Sequence, residues 1–165
     1  MTRLACHCKP FEPGQPTFKG TRIMAWIVLE QLEDGLSWEE HVLSLFKEDV
    51  AAFLESNQIP VFPDFKLSGR SGFDHKFDFG LPKTQRKPQC VVQAINNLTK
   101  DQALSSAFAV SDVRAIRAEP LQAFTFLNDA DNPPNQDNLA AIKAHDVQPL
   151  LWSRRHEAIP LLNGG

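Results

Sequence analysis

Residues 65–79 read FKLSGRSGFDHKFDF, which indicates two strands joined by a tight turn. Apolar and polar side chains alternate along residues 65–68 and 73–79, the two-residue period of a strand with one covered face. The intervening SGRSG supplies turn residues. We therefore predict a β-hairpin here. On its second strand we expect Phe73, His75, Phe77 and Phe79 to share the covered face, with Asp74, Lys76 and Asp78 opposite.

Further strands and helices alternate beyond the hairpin. Apolar runs predict strands at residues 90–95, 124–127 and 147–152. Helices are predicted from Thr99, a suitable cap, to about residue 117, and over residues 137–144 and 154–162. Residues 110–113 are the ambiguous part, because they could form another strand instead. This alternation predicts an α/β or α+β fold with a mixed sheet covered by helices.

The first third of the chain predicts short helices. Met24, Ile27, Val28 and Leu32 follow helical spacing. Ser37 lies three residues before Glu40, as in a capping box that opens a second helix. Acids at 48 and 49 favour the start of a third. We therefore divide the chain into a helix-turn-helix-like module at residues 1–58, with an N-terminal loop, and an α/β domain at residues 59–165.

Composition argues for an ordinary cytoplasmic protein. Hydrophobic residues make up 42% and charged residues 22%, as in globular proteins. The sequence contains no apolar run long enough for a signal peptide or a membrane span, so we expect no membrane association. Three cysteines do not form the even set of a disulfide framework. Cys6, His7 and Cys8 are too close together for a zinc site, and we predict no metal and no cofactor.

Charge is concentrated in one segment. Residues 24–58 carry eight acids against one base, Lys47. A helix that reads DNA needs basic side chains to neutralise phosphates, so the predicted third helix is poorly suited to that role. If nucleic acid is bound, Lys19 and Arg22 are the better candidates.

Two family resemblances follow from these residues. Residues 11–57, with Gly14, Pro16 and the run from Gly20 to Ile23, resemble the domain of unknown function 433, which implies an antitoxin-like module. Residues 60–162 resemble the bacterial and phage domain of unknown function 1829, which implies no established activity. The second resemblance rests on several motifs: LSGRSGFDHKFDF at 67–79, LPK at 81–83, AINN at 94–97, Asp112 with Arg114, Asn128-Asp129, and LWS followed by Arg155.

The placement of Asp78 on one strand, followed by a second apolar strand, also resembles part of a nuclease pattern. In that pattern an aspartate on one strand and charged residues on the next hold a metal. A restriction-endonuclease-like fold is therefore one alternative, with Asp78, His75 and Gln93 as candidate catalytic residues. The resemblance leads us to expect a glutamate and a lysine where the chain has Gln89 and Gln93. Both departures remove charge, so Mg²⁺ is expected only under the nuclease alternative.

Other polar residues could form a binding site, although turn formation and capping explain them as well. Arg70 and Ser71 lie in the hairpin turn, and carboxyl ends of parallel strands commonly carry ligand sites. The candidate binding residues at or near such strand ends are Asp112, Arg114, Asn128, Asp129, Ser153 and Arg155.

These observations favour a non-catalytic interaction or regulatory protein of toxin–antitoxin or phage-defence type. Its expected partner is a toxin-like protein or a second copy of the chain. The alternatives are a nuclease-like protein, degenerate in its metal site, and a DNA-binding transcriptional regulator.

Overall fold

A computed structural model describes residues 38–130 and 133–163 of the chain. The described part is a mixed α/β structure of five strands and four α-helices. In chain order the elements are α1 (Trp38–Ser56), β1 (Phe62–Ser68), β2 (Asp74–Leu81), β3 (Gln89–Ile95), α2 (Lys100–Arg114), β4 (Leu121–Leu127), α3 (Gln136–Ala144), β5 (Val147–Leu151), a 3₁₀ helix (Trp152–Glu157) and α4 (Ala158–Asn163).

The strands form one sheet in the order β1-β2-β3-β4-β5. The first three strands are antiparallel, whereas β3, β4 and β5 run parallel. Helices α2 and α3 make the crossover connections that parallel strands require. The predicted mixed sheet covered by helices is confirmed.

Each face of the sheet has its own apolar core. One core joins α1 and α4 to the strands through Phe46, Val50, Phe53 and Phe126. The other joins α2 and α3 to the opposite face, where Phe77, Val110 and Ile142 are buried. The sheet is therefore the middle layer of three.

The predicted second and third helices are a single helix, α1, so this part of the prediction was wrong. Phe46, Val50, Phe53 and Leu54 lie at i, i+4, i+7 and i+8 and are all buried, which makes one continuous apolar stripe. Acids at 48 and 49 lie on exposed positions of that helix instead of opening a new one. Residues 1–37, which include the predicted first helix and Ser37, lie outside the described residues.

The shared face predicted for β2 was also wrong. Phe77 packs in the core beneath α2, whereas Phe79 packs in the core beneath α1. Phe73 precedes the strand and is 68% exposed. The change of face occurs at Asp78, whose side chain reaches across to β3. Alternation in the sequence cannot show such an irregularity, because it assumes a regular strand.

The predicted strands β3 and β4 and the helices α2 and α3 are confirmed, whereas the closing helix predicted over residues 154–162 is a 3₁₀ helix followed by α4, and β5 ends at Leu151. Thr99 caps α2, accepting a hydrogen bond from the backbone of Gln102, and the Gln102 side chain completes the capping box. Residues 110–113 belong to this helix and do not form the alternative strand. Among the described residues, no helix is both long and apolar enough to cross a membrane.

Both edge strands of the sheet are interrupted by proline. Pro63 lies in β1, next to Asp64, whose positive φ of 52° bends the strand. Pro149 lies in the middle of β5, opposite Thr125. Proline has no amide proton, so neither edge presents a continuous row of donors.

Candidate functional site

Asp78 lies where β2 and β3 separate. The register between these strands ends at Phe79 and Val92. Beyond that pair a side chain takes the place of the backbone hydrogen bonds between the two strands. The Asp78 carboxylate oxygen Oδ2 accepts a hydrogen bond from the Ala94 amide at 2.9 Å. Its other oxygen, Oδ1, lies 3.3 Å from the Lys47 ammonium of α1. Each carboxylate oxygen of Asp78 therefore has one partner within the chain.

Lys47 also binds Asp64 on β1, with 2.9 Å between Nζ and Oδ1. Lys76 lies 2.9 Å from the same oxygen. These hydrogen bonds lower the pKa of Asp64 from 3.8 to about 2. Partial burial acts to lower the pKa of Lys47, but its bonds with Asp64 and Asp78 outweigh that effect and the pKa is raised. An ammonium group thus lies between the two carboxylates.

Gln93 does not add to this cluster. Its Oε1 accepts a hydrogen bond from Ser106 of α2 at 2.5 Å, so the amide is used beneath that helix. No group of three or more His, Cys, Asp or Glu side chains within residues 38–130 and 133–163 could hold a metal ion. Cys6, His7 and Cys8 lie outside those ranges, as do Lys19 and Arg22.

The structure brings Ser71 and His75 together with Asp112, not with Asp78. Asp112 Oδ2 lies 2.5 Å from the Ser71 hydroxyl and 2.8 Å from His75 Nε2, and Oδ1 accepts from the Ser71 amide at 2.9 Å. Hydrogen bonds from Ser71 and then His75 lower the pKa of Asp112. We call these three residues the latch, because they fasten the hairpin turn to α2.

The latch is not a nucleophilic triad, although it contains serine, histidine and aspartate. In a triad the serine hydroxyl binds the histidine, which removes its proton. Here the Ser71 hydroxyl donates to Asp112, and His75 binds the same oxygen. The Ser71 hydroxyl thus has no histidine to accept its proton, and the arrangement holds the hairpin turn and α2 together.

Arg114 connects neighbouring loops through hydrogen bonds. Its guanidinium donates to three backbone carbonyls: those of Leu121, His145 and Asp146. These bonds join the end of α2 to the start of β4 and to the turn before β5. Burial is the main reason that the pKa of Arg114 is lowered.

The carboxyl ends of β3 and β4 are joined by an amide pair. Asn128 Nδ2 donates to Asn96 Oδ1 at 2.7 Å, and the Asn128 amide donates to the carbonyl of Ile95. The sequence placed Asn128 at this edge of the sheet, where ligands often bind. Its side-chain amide is instead used to join two loops.

Asp129 caps the 3₁₀ helix from a neighbouring loop. Leu151, at the N-cap of that helix, makes no side-chain capping bond. Asp129 supplies the acceptors, because its carboxylate accepts from the Ser153 amide at 2.8 Å and from the Ser153 hydroxyl at 2.6 Å. Burial acts to raise the pKa of Asp129, but these bonds outweigh it and the pKa is lowered.

Arg155 and Arg70 differ in what they contact. The Arg155 guanidinium stacks 4.7 Å from the centre of the Trp152 ring and donates to the carbonyl of Trp152. Arg70 is exposed on the hairpin turn, and its backbone amide donates to the carbonyl of Asp112. The Arg70 side chain is therefore the sequence-predicted group most open to a partner.

Sequence reasoning missed three contributors. Lys47 was noted only as the single base of an acidic segment, and Asp64 and Phe108 were not considered. Phe108 packs its ring edge-on against His75, with 5.6 Å between centroids. Helical spacing from Asp112 to Phe108 was the available signal, because residues four apart share a helix face.

The described part is thus a mixed α/β domain whose motif residues mainly bind one another. Residues 69–155 match the family described as "Domain of unknown function DUF1829", and the chain belongs to that family. Residues 13–55 match the family described as "Protein of unknown function (DUF433)". Both resemblances stated from the sequence are confirmed.

The fold also resembles that of a solved protein. The chain is similar to the one described as "Crystal Structure of Protein of Unknown Function AF1548", with a TM-score of 0.50 and 12% identity. The similarity covers 72% of this chain and 65% of that one, somewhat less than two thirds of its length. At this identity it concerns the fold alone. No curated protein matches the sequence.

Proposed function

We propose that this protein is a non-catalytic, protein-binding regulator built on a restriction-endonuclease-like α/β domain. The observation that carries the proposal is the occupied state of Asp78. Its two oxygens bind the Ala94 amide and the Lys47 ammonium. A nuclease of this type would need them for a hydrated divalent cation.

The order of elements supports the nuclease-like description. A helix, three antiparallel strands, a second helix and a parallel strand follow one another, and Asp78 lies at the point where two strands separate. On the neighbouring strand, however, Gln89 and Gln93 are neutral, and their side-chain oxygens accept hydrogen bonds from Arg117 and Ser106. The groups that would neutralise a phosphate and hold a metal are therefore replaced.

The structural roles of the motif residues also support a non-catalytic function. Asp112, Arg114, Asn128 and Asp129 all bind other parts of the chain, so the family signature accounts for the fold without a reaction. Exposed apolar side chains are also open to a partner, notably Phe73, Leu104 and Phe108, each more than half exposed. Exposed apolar clusters on soluble proteins commonly mark protein-binding sites.

The regulatory part of the proposal rests on the N-terminal match. Residues 13–55 match a family of unknown function. The resemblance of the sequence to that family implies an antitoxin-like module. Glu48 and Glu55 are exposed on α1, within the acidic segment, and this charge disfavours DNA contact through that helix. A protein partner of toxin–antitoxin or phage-defence type is therefore the form of regulation we propose.

A metal-binding and cleavage assay tests the proposal. The full-length protein is titrated calorimetrically with Mg²⁺ and Mn²⁺ and then incubated with plasmid DNA and RNA in the presence of each ion. We expect no heat of specific binding and no cleavage. Metal-dependent cleavage by the wild type that disappears in Asp78→Asn but persists in Asp129→Asn would overturn the proposal.

A further inference from the structure

Lys87, in the loop between β2 and β3, is a buried lysine. Only 6% of its surface is exposed. The Thr84 amide donates to the Lys87 carbonyl at 2.9 Å, so residues 84–87 form a closed turn. The Lys87 ammonium lies 6.0 Å from the centre of the ring of Phe124, which belongs to the core beneath α1. Lysine is almost never buried in this way unless it is paired with an anion.

The partners that the structure shows for this ammonium are neutral. Lys87 Nζ donates to the carbonyl of Leu162 in α4. The Cys90 thiol is its other partner, and burial raises the pKa of that thiol, which keeps it protonated. Burial also lowers the pKa of Lys87. No carboxylate within residues 38–130 and 133–163 forms an ion pair with Lys87, so its charge is not compensated in that part of the chain.

A cavity of about 50 Å³ lies beside this lysine, and both Lys87 and Leu162 line it. Apart from Thr84, Lys87 and Asn163, its lining residues are all proline or leucine. One water molecule occupies about 30 Å³ in the liquid, so this cavity can hold a group of a few heavy atoms. Mostly apolar walls with a few polar groups are typical of small-molecule sites. We call this site the Lys87 cavity.

We propose that the Lys87 cavity binds a short-chain monocarboxylate, such as acetate or propionate, with the carboxylate beside the Lys87 ammonium. The ligand supplies the negative charge that the buried lysine does not find among the described residues. Its methyl or ethyl group packs against the proline and leucine side chains. This site goes beyond the proposed function, because none of its residues contacts Asp78.

The size and lining of the cavity favour a carboxylate over phosphate or sulfate. Phosphate and sulfate present several strongly hydrated oxygens, which proteins satisfy with several donors such as arginine guanidinium groups or backbone amides. Lys87 supplies a single point charge here. An apolar wall cannot satisfy additional oxygens, but it covers the carbon atoms of a short acid and removes them from water.

Lys87→Met distinguishes a binding role from a purely structural one. Methionine keeps the length and the apolar stem of the side chain but removes the charge. Burying an uncompensated charge costs free energy, and replacing it with an apolar group of similar volume is often neutral or stabilising. We therefore expect Lys87→Met to unfold at the same temperature as the wild type or at a higher one, while carboxylate binding is lost.

Titration of the full-length, ¹⁵N-labelled protein with sodium acetate at constant ionic strength tests the site. We expect saturable shifts of the amide signals of Thr84, Lys87 and Asn163, with a Kd on the order of 1–10 mM for a ligand of four heavy atoms. Lys87→Met should abolish these shifts. Lys83→Met, which changes an exposed lysine of the same loop, should leave them unchanged.

Four results would each reject the Lys87 cavity as a carboxylate site. These are no saturable shift at the three amides, equal shifts with sodium chloride, shifts that persist in Lys87→Met, and an equal loss in Lys83→Met. Should Lys87→Met not fold, the acetate and chloride titrations of the wild type decide alone. Asp78→Asn should bind acetate as the wild type does, so the result is independent of the cleavage assay.

Discussion

At the scale of single residues, Lys47 is the ion-pair partner of both Asp78 and Asp64. Its ammonium lies 2.9 Å from Asp64 and 3.3 Å from Asp78, so it supplies the positive charge between two carboxylates. Lys47 belongs to α1, whereas the carboxylates belong to β1 and β2. Lys47 therefore joins the helix to the sheet, and together with Lys76 it neutralises the cluster.

This ion-pair cluster makes the stability of the fold depend on acid pH. Because its pKa falls from 3.8 to about 2 on folding, Asp64 contributes stability that is present above 3.8 and is lost as the pH falls through about 2. We expect Asp64→Asn to flatten this part of the pH profile. Denaturant unfolding of both proteins across that pH range measures the difference. Parallel profiles would contradict the assignment.

The sequence predicted the lack of charge around Asp78 but not its partners. Gln93 in place of a charged residue is evident from the sequence. The bond from Lys47 is not, because it joins residues separated by 31 positions. Only the packing of α1 across the sheet brings this base to that acid.

At the scale of elements, the hairpin and α2 are fastened by the latch. Gly69 lies directly against Asp112, and a side chain on Gly69 would overlap the Asp112 carboxylate. The Gly69 amide donates to Phe73 within the turn, and the Arg70 amide donates to the Asp112 carbonyl. Glycine at position 69 is thus required by the close approach of the helix.

We predict that Gly69→Ala destabilises the protein by about 1–3 kcal/mol, the usual cost of overpacking a filled site. Thermal or denaturant unfolding measures this change. Combining it with Asp112→Ala removes the obstructing carboxylate, so the second substitution should reduce the cost of the first. Additive effects of the two substitutions would show that the contact does not limit the site.

The sequence predicted most elements because their signals are local. Thr99 and Gln102, three residues apart, form a capping box that could be recognised from the chain alone. The separate second and third helices were wrong because acids at 48 and 49 suit either a helix start or an exposed helix side. Burial of Phe46 and Val50 on one stripe decides between them.

At the scale of the whole molecule, α1 links the two family matches. Most of α1 lies within residues 13–55, the N-terminal match, yet its apolar stripe covers the sheet of the second match. Phe53 packs against Phe126 and Trp152 at centroid distances of 6.1 Å and 5.8 Å. The division at residue 58 stays a prediction, but the sheet depends on residues that precede it.

We predict that residues 59–165 alone do not fold cooperatively. Four buried side chains of α1, each worth about 1.5–3 kcal/mol, would be lost, or roughly 6–12 kcal/mol in total. A domain of this size is stable by only about 5–15 kcal/mol. Near-ultraviolet circular dichroism should show no fixed aromatic packing, whereas residues 38–165 should unfold cooperatively. A sharp transition in the shorter fragment would contradict this.

The prolines at the two sheet edges restrict how copies of this molecule can join. Because Pro63 and Pro149 each withhold an amide proton, extension of the sheet by the strand of a neighbour is disfavoured at both edges. Edge-to-edge growth of sheets into fibres is disfavoured with it.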